Sequence, residues 1–178
     1  MTRSQLEHII RAAGGNADTD EIVVIGSQAI LGTYPDAPAE LIHSIEADVF
    51  PRRRPQDSIL IDGAIGEQSL FHQTFGYYAH GVDESTAVLP DGWQDRLIRI
   101  CNENTRGVTG WCLEVHDLAV SKLVAGREKD CEFVAALFAH GLAKTSTVRE
   151  RLTITPLPDP ERRNAVEMRL ARLADQTK

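Results

Sequence analysis

The stretch Ile45-Glu46-Ala47-Asp48-Val49-Phe50 limits the fold more than any other part of the chain. Strict alternation of apolar and acidic residues fits an extended strand with one buried face. Ile45, Ala47 and Val49 then face a core, while Glu46 and Asp48 leave the opposite face together, their Cα atoms roughly 6.5 to 7 Å apart. Two carboxylates so placed are either a solvated strand face or a pair converging on one spot, where their repulsion calls for a cation. Hard Mg²⁺ accepts such oxygens together with nucleotide phosphates. A strand of this kind needs partners, and further runs supply them: Glu21 to Ile25, Tyr77 to Val82, Ala87 to Leu89, Arg96 to Ile100 and Trp111 to Val115. Turn signals at Asp83-Glu84-Ser85 and Pro90-Asp91-Gly92 separate them.

Around this sheet-rich middle the pattern turns helical. Leu6, Ile9 and Ile10 mark a leading helix over Gln5 to Ala13, with Gly14-Gly15 as its expected C-cap. A moderately helical stretch runs from Ile59 to Phe75, interrupted by Gly63 and Gly66. Helices are then expected over Leu118 to Ala125, Lys129 to Ala139, Ser146 to Leu152 and from Asp159, an N-cap followed by Pro160, to about Ala174. Sheet first and helices last gives an α+β class. The 178 residues suffice for one compact domain with a helical appendage, divided here as 1–140 and a helical extension 141–178 packed on it. A formal charge of -7 argues against coating nucleic acid or anionic membrane by bulk electrostatics. Cys101, Cys112 and Cys131 lack CxxC pairing, so neither a disulfide framework nor a four-cysteine zinc site is expected. The longest apolar run, residues 133–139, is far short of the roughly 20 residues of a membrane span. With no apolar signal core at the start, the expected location is the cytoplasm.

The run from Glu21 to Ile25 closes in Gly26-Ser27 and enters a short helix at Gln28-Ala-Ile-Leu31. A strand-to-helix turn of this type presents backbone N–H groups and a hydroxyl, which suit a phosphate; a simple turn with a serine N-cap is the alternative. About twenty residues separate it from Ser44-Ile-Glu46-Ala-Asp48. Together these segments resemble the nucleotidyltransferase fold of the DNA polymerase beta superfamily, whose pattern is Gly-Ser followed by two acidic residues one apart. The segments 25–30, 44–51 and 116–130 are similar to a bacterial group related to the AbiEii-type nucleotidyltransferases of toxin–antitoxin systems.

The resemblance implies a small mixed β-sheet with flanking helices and a nucleotide cleft. Gly26 and Ser27 would lie on the triphosphate, with Glu46 and Asp48 as ligands to Mg²⁺ or Mn²⁺. The family's first acidic residue is usually Asp; this chain has Glu46, one methylene longer. A third carboxylate often completes such sites. Glu114, flanked by Leu113 and Val115, is either that ligand or base, or it shares with Asp117 the capping of the following helix. Asp62 and Asp83 are further candidates. Lys122 and Arg127, with Lys129, lie in the helical region that the resemblance places at the cleft, where a cation neutralises phosphate charge. Local pairing with Asp130 is the other reading for Arg127 and Lys129.

The expected function is therefore Mg-dependent transfer of a nucleotidyl group from a nucleoside triphosphate to an RNA or protein hydroxyl. A non-catalytic, antitoxin-like binding partner of a cognate toxin is the alternative. Arg52-Arg53-Arg54, between two prolines, is either a phosphate-meeting loop or a solvated turn. The histidines at 8, 43, 72, 80, 116 and 140 show no metal-ligand spacing, and Cys112 with His116 offers two ligands at most.

Overall fold

The computed structural model describes residues 1–176. The chain forms two compact units: Met1–Thr86 with Arg96–Glu114, and Ala87–Asp95 with the chain from Val115 onward. In the first unit, helix α1 (Arg3–Asn16) precedes strand β1 (Glu21–Val24), and a short 3-10 turn Ser27–Ala29 runs into α2 (Ile30–Thr33). Strand β2 (Glu46–Pro51), helices α3 (Ser58–Ile65) and α4 (Leu70–Phe75), and strands β3 (Tyr78–Gly81), β4 (Ile98–Ile100) and β5 (Thr109–Cys112) follow. The sheet order is β3-β2-β1-β5-β4. Strands β2 and β3 are parallel, as are β1 and β5, while the β1–β2 and β4–β5 pairs are antiparallel. This is the mixed sheet with flanking helices, an α+β fold, that the sequence leads one to expect.

Thr2 caps helix α1: its side chain accepts from the Gln5 N–H, and the Gln5 side chain accepts from the Thr2 N–H. Its buried stripe, Leu6, Ile9, Ile10 and Ala13, repeats at helical spacing and meets the sheet face that carries Ala47 and Val49. The helix runs through Gly14-Gly15 instead of capping there. A Cβ on Gly14 would come within 2.7 Å of both Val108 methyls, so this glycine serves close packing. The expected helix over 59–75 is broken into α3 and α4. A Cβ on Gly66 would strike the Asp62 carbonyl at 2.1 Å, and Ser69 caps α4 by accepting from the His72 N–H. Residues 87–89 are not a strand: Pro90 has no N–H to continue a ladder, and the Asp91 N–H donates to the Ile154 carbonyl.

The second unit holds α5 (Val115–Ala125), α6 (Glu128–Ala139), α7 (Thr145–Thr153) and α8 (Pro160–Asp175). Leu118, Leu123, Val134, Leu137, Val148, Val166 and Leu170 are among its buried apolar side chains. Asp159 caps α8, accepting from the Glu161 N–H, with Pro160 in the first turn. Among the described residues no helix is long and apolar enough to cross a membrane.

One buried charge ties α1 to the segment after β4. Glu7 accepts from Arg3 Nε, Asn102 Nδ2 and Asn104 Nδ2, each at 2.8 Å. Burial pushes its carboxyl up, but the bonds from Asn104, Asn102 and Arg3 together outweigh burial, and it titrates below its ordinary range. Glu7→Ala is expected to cost about 1 to 2 kcal/mol, because three bonds to a buried carboxylate are lost while the exposed Asn102 and Asn104 amides can turn to water and Arg3 keeps the Leu31 carbonyl. The folded carboxyl titrates below the unfolded one. Its stabilisation is therefore complete above the unfolded value and fades as pH falls through the folded one. Urea titrations of both proteins across the acid range check this, and the difference between them should shrink with falling pH.

Candidate functional site

Parallel pairing of β2 and β3 sets Glu46 beside Tyr78 and Asp48 beside His80. Side chains two apart on each strand share a face, so all four project together from the sheet. Tyr78 Oη donates to Glu46 Oε2 at 2.6 Å, and His80 Nδ1 lies 3.1 Å from Asp48 Oδ1 and 3.5 Å from Glu46 Oε1. One donor atom from each of Glu46, Asp48 and His80 lies within 4.8 Å of the others. The two carboxylates do converge, as the alternation suggests. The histidine that joins them is a residue sequence reasoning missed. Its signal is Tyr78-x-His80 inside an expected strand, a second polar pair at spacing two that mirrors Glu46-x-Asp48.

Burial raises the Asp48 carboxyl above its ordinary range, the Glu46 charge raises it further, and the contact with His80 only partly offsets both. The Tyr78 hydroxyl is also pushed up, first by the bond it donates to Glu46, then by burial. A divalent cation between the two carboxylates would relieve the repulsion between Glu46 and Asp48. The donors, two carboxylates and an imidazole, fit such an ion.

Gly26 is buried beside this group. Its φ of -78° and ψ of -172° are open to any residue, so conformational freedom is not why glycine stands here. A Cβ at residue 26 would lie 2.0 Å from Asp48 Oδ2 and 2.8 Å from its Cγ. The glycine makes room for the aspartate. Ser27 opens the 3-10 turn, half-buried, and its Oγ accepts from Gln28 Nε2 at 3.4 Å. The turn that follows the strand is present, and no side-chain bond caps it.

The remaining sequence candidates are placed as follows. Glu114 lies in the connection between β5 and α5, past the end of the strand, so it has no alternating strand face. Asp62 Oδ1 accepts from the Gly81 N–H, and Asp83 closes a turn on Ser85. The Arg52 guanidinium stacks over Trp111 at 4.5 Å and reaches Glu21, which Arg53 also holds. Arg54 donates to the Ala17 and Asp18 carbonyls. The triple-arginine loop is tied to its own unit. A shallow groove of about 680 Å³ beside it mixes Arg53, Arg54 and Arg106 with Asp18 and Asp20, and includes none of the converging residues.

In the second unit, Lys122 Nζ lies 3.1 Å from Asp130 Oδ1, and Arg127 Nε lies 2.6 Å from Asp130 Oδ2. Asp130 is only 1% exposed. Burial pushes its carboxyl up, but the bonds and charges of Arg127 and Lys122 bring it below its ordinary range. Lys122 also lies 5.7 Å from the Phe133 ring centroid. Lysine and arginine meet here on an aspartate of the next helix, while Lys129 is exposed. Cys112 is fully buried, and burial pushes its thiol up to about 12, opposite to what a thiolate ligand needs.

A family model described as "Nucleotidyltransferase of unknown function (DUF6036)" matches residues 4–168. No curated protein and no solved structure matches the chain.

Gly26→Ala is expected to displace the Asp48 carboxylate and cost about 1 to 3 kcal/mol. A denaturant titration checks this, and a wild-type value would mean that the carboxylate has room to spare. Asp130→Asn is expected to lose about 3 kcal/mol, since two cations then face a neutral amide. A melting curve measures it, with Lys122→Met as the milder comparison because Arg127 stays on the aspartate.

Proposed function

Because the chain belongs to the family of nucleotidyltransferases of unknown function, we propose that it moves a nucleotidyl group from a nucleoside triphosphate to a hydroxyl of RNA or protein. Glu46 and Asp48 hold Mg²⁺ or Mn²⁺ in this reading. The observation that supports it best is the convergence of the two carboxylates beside Gly26, where β1 turns into the Ser27–Ala29 segment. The acceptor oxygen forms a bond to the α-phosphorus. The bond from that phosphorus to the bridging oxygen breaks, and pyrophosphate leaves with the electron pair. Glu46 and Asp48 would hold the divalent cation, which when bound would polarise the α-phosphate and lower the pKa of the attacking hydroxyl.

The chain's own residues orient this chemistry. Tyr78 holds the longer glutamate by its Oε2, which limits the freedom that the extra methylene brings. The Ser27 hydroxyl and the backbone N–H groups of its turn face the triphosphate. Glu114 is the proposed acceptor of the hydroxyl proton. Lys122 and Arg127 remain proposed phosphate-neutralising cations, and both pair with Asp130. The resemblance of segments 25–30, 44–51 and 116–130 to AbiEii-type proteins extends the proposal to a toxin–antitoxin setting.

Incubation with each α-labelled triphosphate, Mg²⁺ or Mn²⁺, and total RNA or lysate tests this reading. A labelled product is expected, reduced about 100-fold or more in Asp48→Asn. Absence of any product with all four nucleotides, or a product indifferent to Asp48→Asn, overturns it.

A further inference from the structure

We propose that His80 is a third ligand of the Glu46–Asp48 site and makes it selective for a first-row transition-metal ion, such as Mn²⁺ or Co²⁺, over Mg²⁺. The inference rests on the metal-binding reading above and goes beyond it in naming the ligand and the class of ion.

The backbone itself puts His80 there. In the parallel register His80 is the direct neighbour of Asp48, and Glu46 stands one position up on the same face. Its Nδ1 is the atom turned toward both carboxylates, at 3.1 Å and 3.5 Å. Donors bound to one small cation at about 2.1 Å, with angles between octahedral and tetrahedral, lie about 3.0 to 3.4 Å from one another. The 3.1 Å contact falls in that range and is also a hydrogen-bond distance, while the 3.5 Å contact lies just outside it. All three donor atoms lie within 4.8 Å of one another, so a small shift of these partly exposed side chains brings them onto one ion. The Gly26 cradle holds the aspartate beside them, because any Cβ there would take the place of Oδ2.

Chemistry then separates the ions. Mg²⁺ takes oxygen ligands and keeps much of its water, gaining little from an imidazole. Manganese, cobalt and their neighbours bind imidazole nitrogen readily, so a Glu-Asp-His set favours them more than two carboxylates alone would. With Mg²⁺, His80 stays a hydrogen-bond partner of Asp48. With a transition metal, its Nδ1 gives up that bond and ligates. At 51% side-chain exposure, His80 can be replaced with little loss of packing.

The test is Mn²⁺ titration by electron paramagnetic resonance, with Mg²⁺ competition, on wild type, His80→Gln, His80→Asp and Asp48→Asn, each checked for an unchanged melting temperature. His80→Gln is expected to lose about tenfold in Mn²⁺ affinity and less than about twofold in Mg²⁺ affinity. His80→Asp, with three carboxylates, should shift preference toward Mg²⁺. Spin-echo spectra of the Mn²⁺ protein should show coupling to a directly bound ¹⁴N that is absent from His80→Gln. Bound Mn²⁺ without ¹⁴N coupling, or equal losses for both ions in His80→Gln, overturns the role of His80 while leaving the carboxylate site standing. Wild-type Mn²⁺ affinity in Asp48→Asn overturns the metal site and this inference with it.

Discussion

The Asp48 carboxylate occupies the space that a side chain at residue 26 would need. That single exclusion links two segments about twenty residues apart in the chain, and much of the first unit serves to maintain it. The antiparallel pairing of β1 with β2 matches Val24 with Val49 and so carries the end of β1 past Asp48. The Ile25 N–H donates to the Asp48 carbonyl at 3.1 Å, fixing the backbone on either side of the contact. Apolar packing supplies the force: Ala47 and Val49 are wholly buried on one face, which commits Glu46 and Asp48 to the other.

Placing two carboxylates together costs free energy, and the unit offsets that cost with neutral and basic neighbours rather than with a lysine or arginine. Tyr78 donates to Glu46, and His80 stands against Asp48. Arginine is abundant nearby but engaged elsewhere, in the knot that joins Arg52 and Arg53 to Glu21 and Trp111. A permanent cation inserted between Glu46 and Asp48 would remove the repulsion and, with it, the demand for a divalent ion. Lys122, Arg127 and Asp130 make the opposite arrangement in the second unit: a buried acid is neutralised on the spot by two cations.

Alternation and β-branching made much of the first unit legible. β1, β2 and β3 match the expected runs 21–25, 45–50 and 77–82 to within a residue at either end. In β2 the period of two reports the buried face directly through Ala47 and Val49, whereas Ile45, expected on that face, precedes the strand and is 49% exposed, and β1 buries Ile22, Val23 and Val24 alike. Where the sequence misled, the deciding contact lay far along the chain. Gly14 resembles a helix cap until Val108 is seen against it, and residues 87–89 have strand composition but no ladder to join. Asp130 lies eight residues beyond Lys122, on the next helix, so the lysine reads as a free cation from sequence alone. His80 was invisible for a related reason: ligands contributed by neighbouring strands carry no fixed spacing, since the crossover between the strands can have any length. What spacing did encode was the local half of each pair, Glu46-x-Asp48 and Tyr78-x-His80.

Parallel strands cannot be joined by a tight turn, and here β2 reaches β3 through residues 52–77, which include α3 and α4. This divides the chain into places that tolerate a change of length and places that do not. An extra residue between α3 and α4, at the Gly66–Ser69 break, leaves β3 free to keep its alignment. An extra residue between Tyr78 and His80 cannot be absorbed in this way: whichever of the two keeps its register opposite the acidic pair, the other is carried to the opposite face of the sheet. The acidic pair would survive such a change with one of its counterparts lost. A change of length in the crossover thus leaves the face as it is, while a single inserted codon in four residues of strand would remake its chemistry.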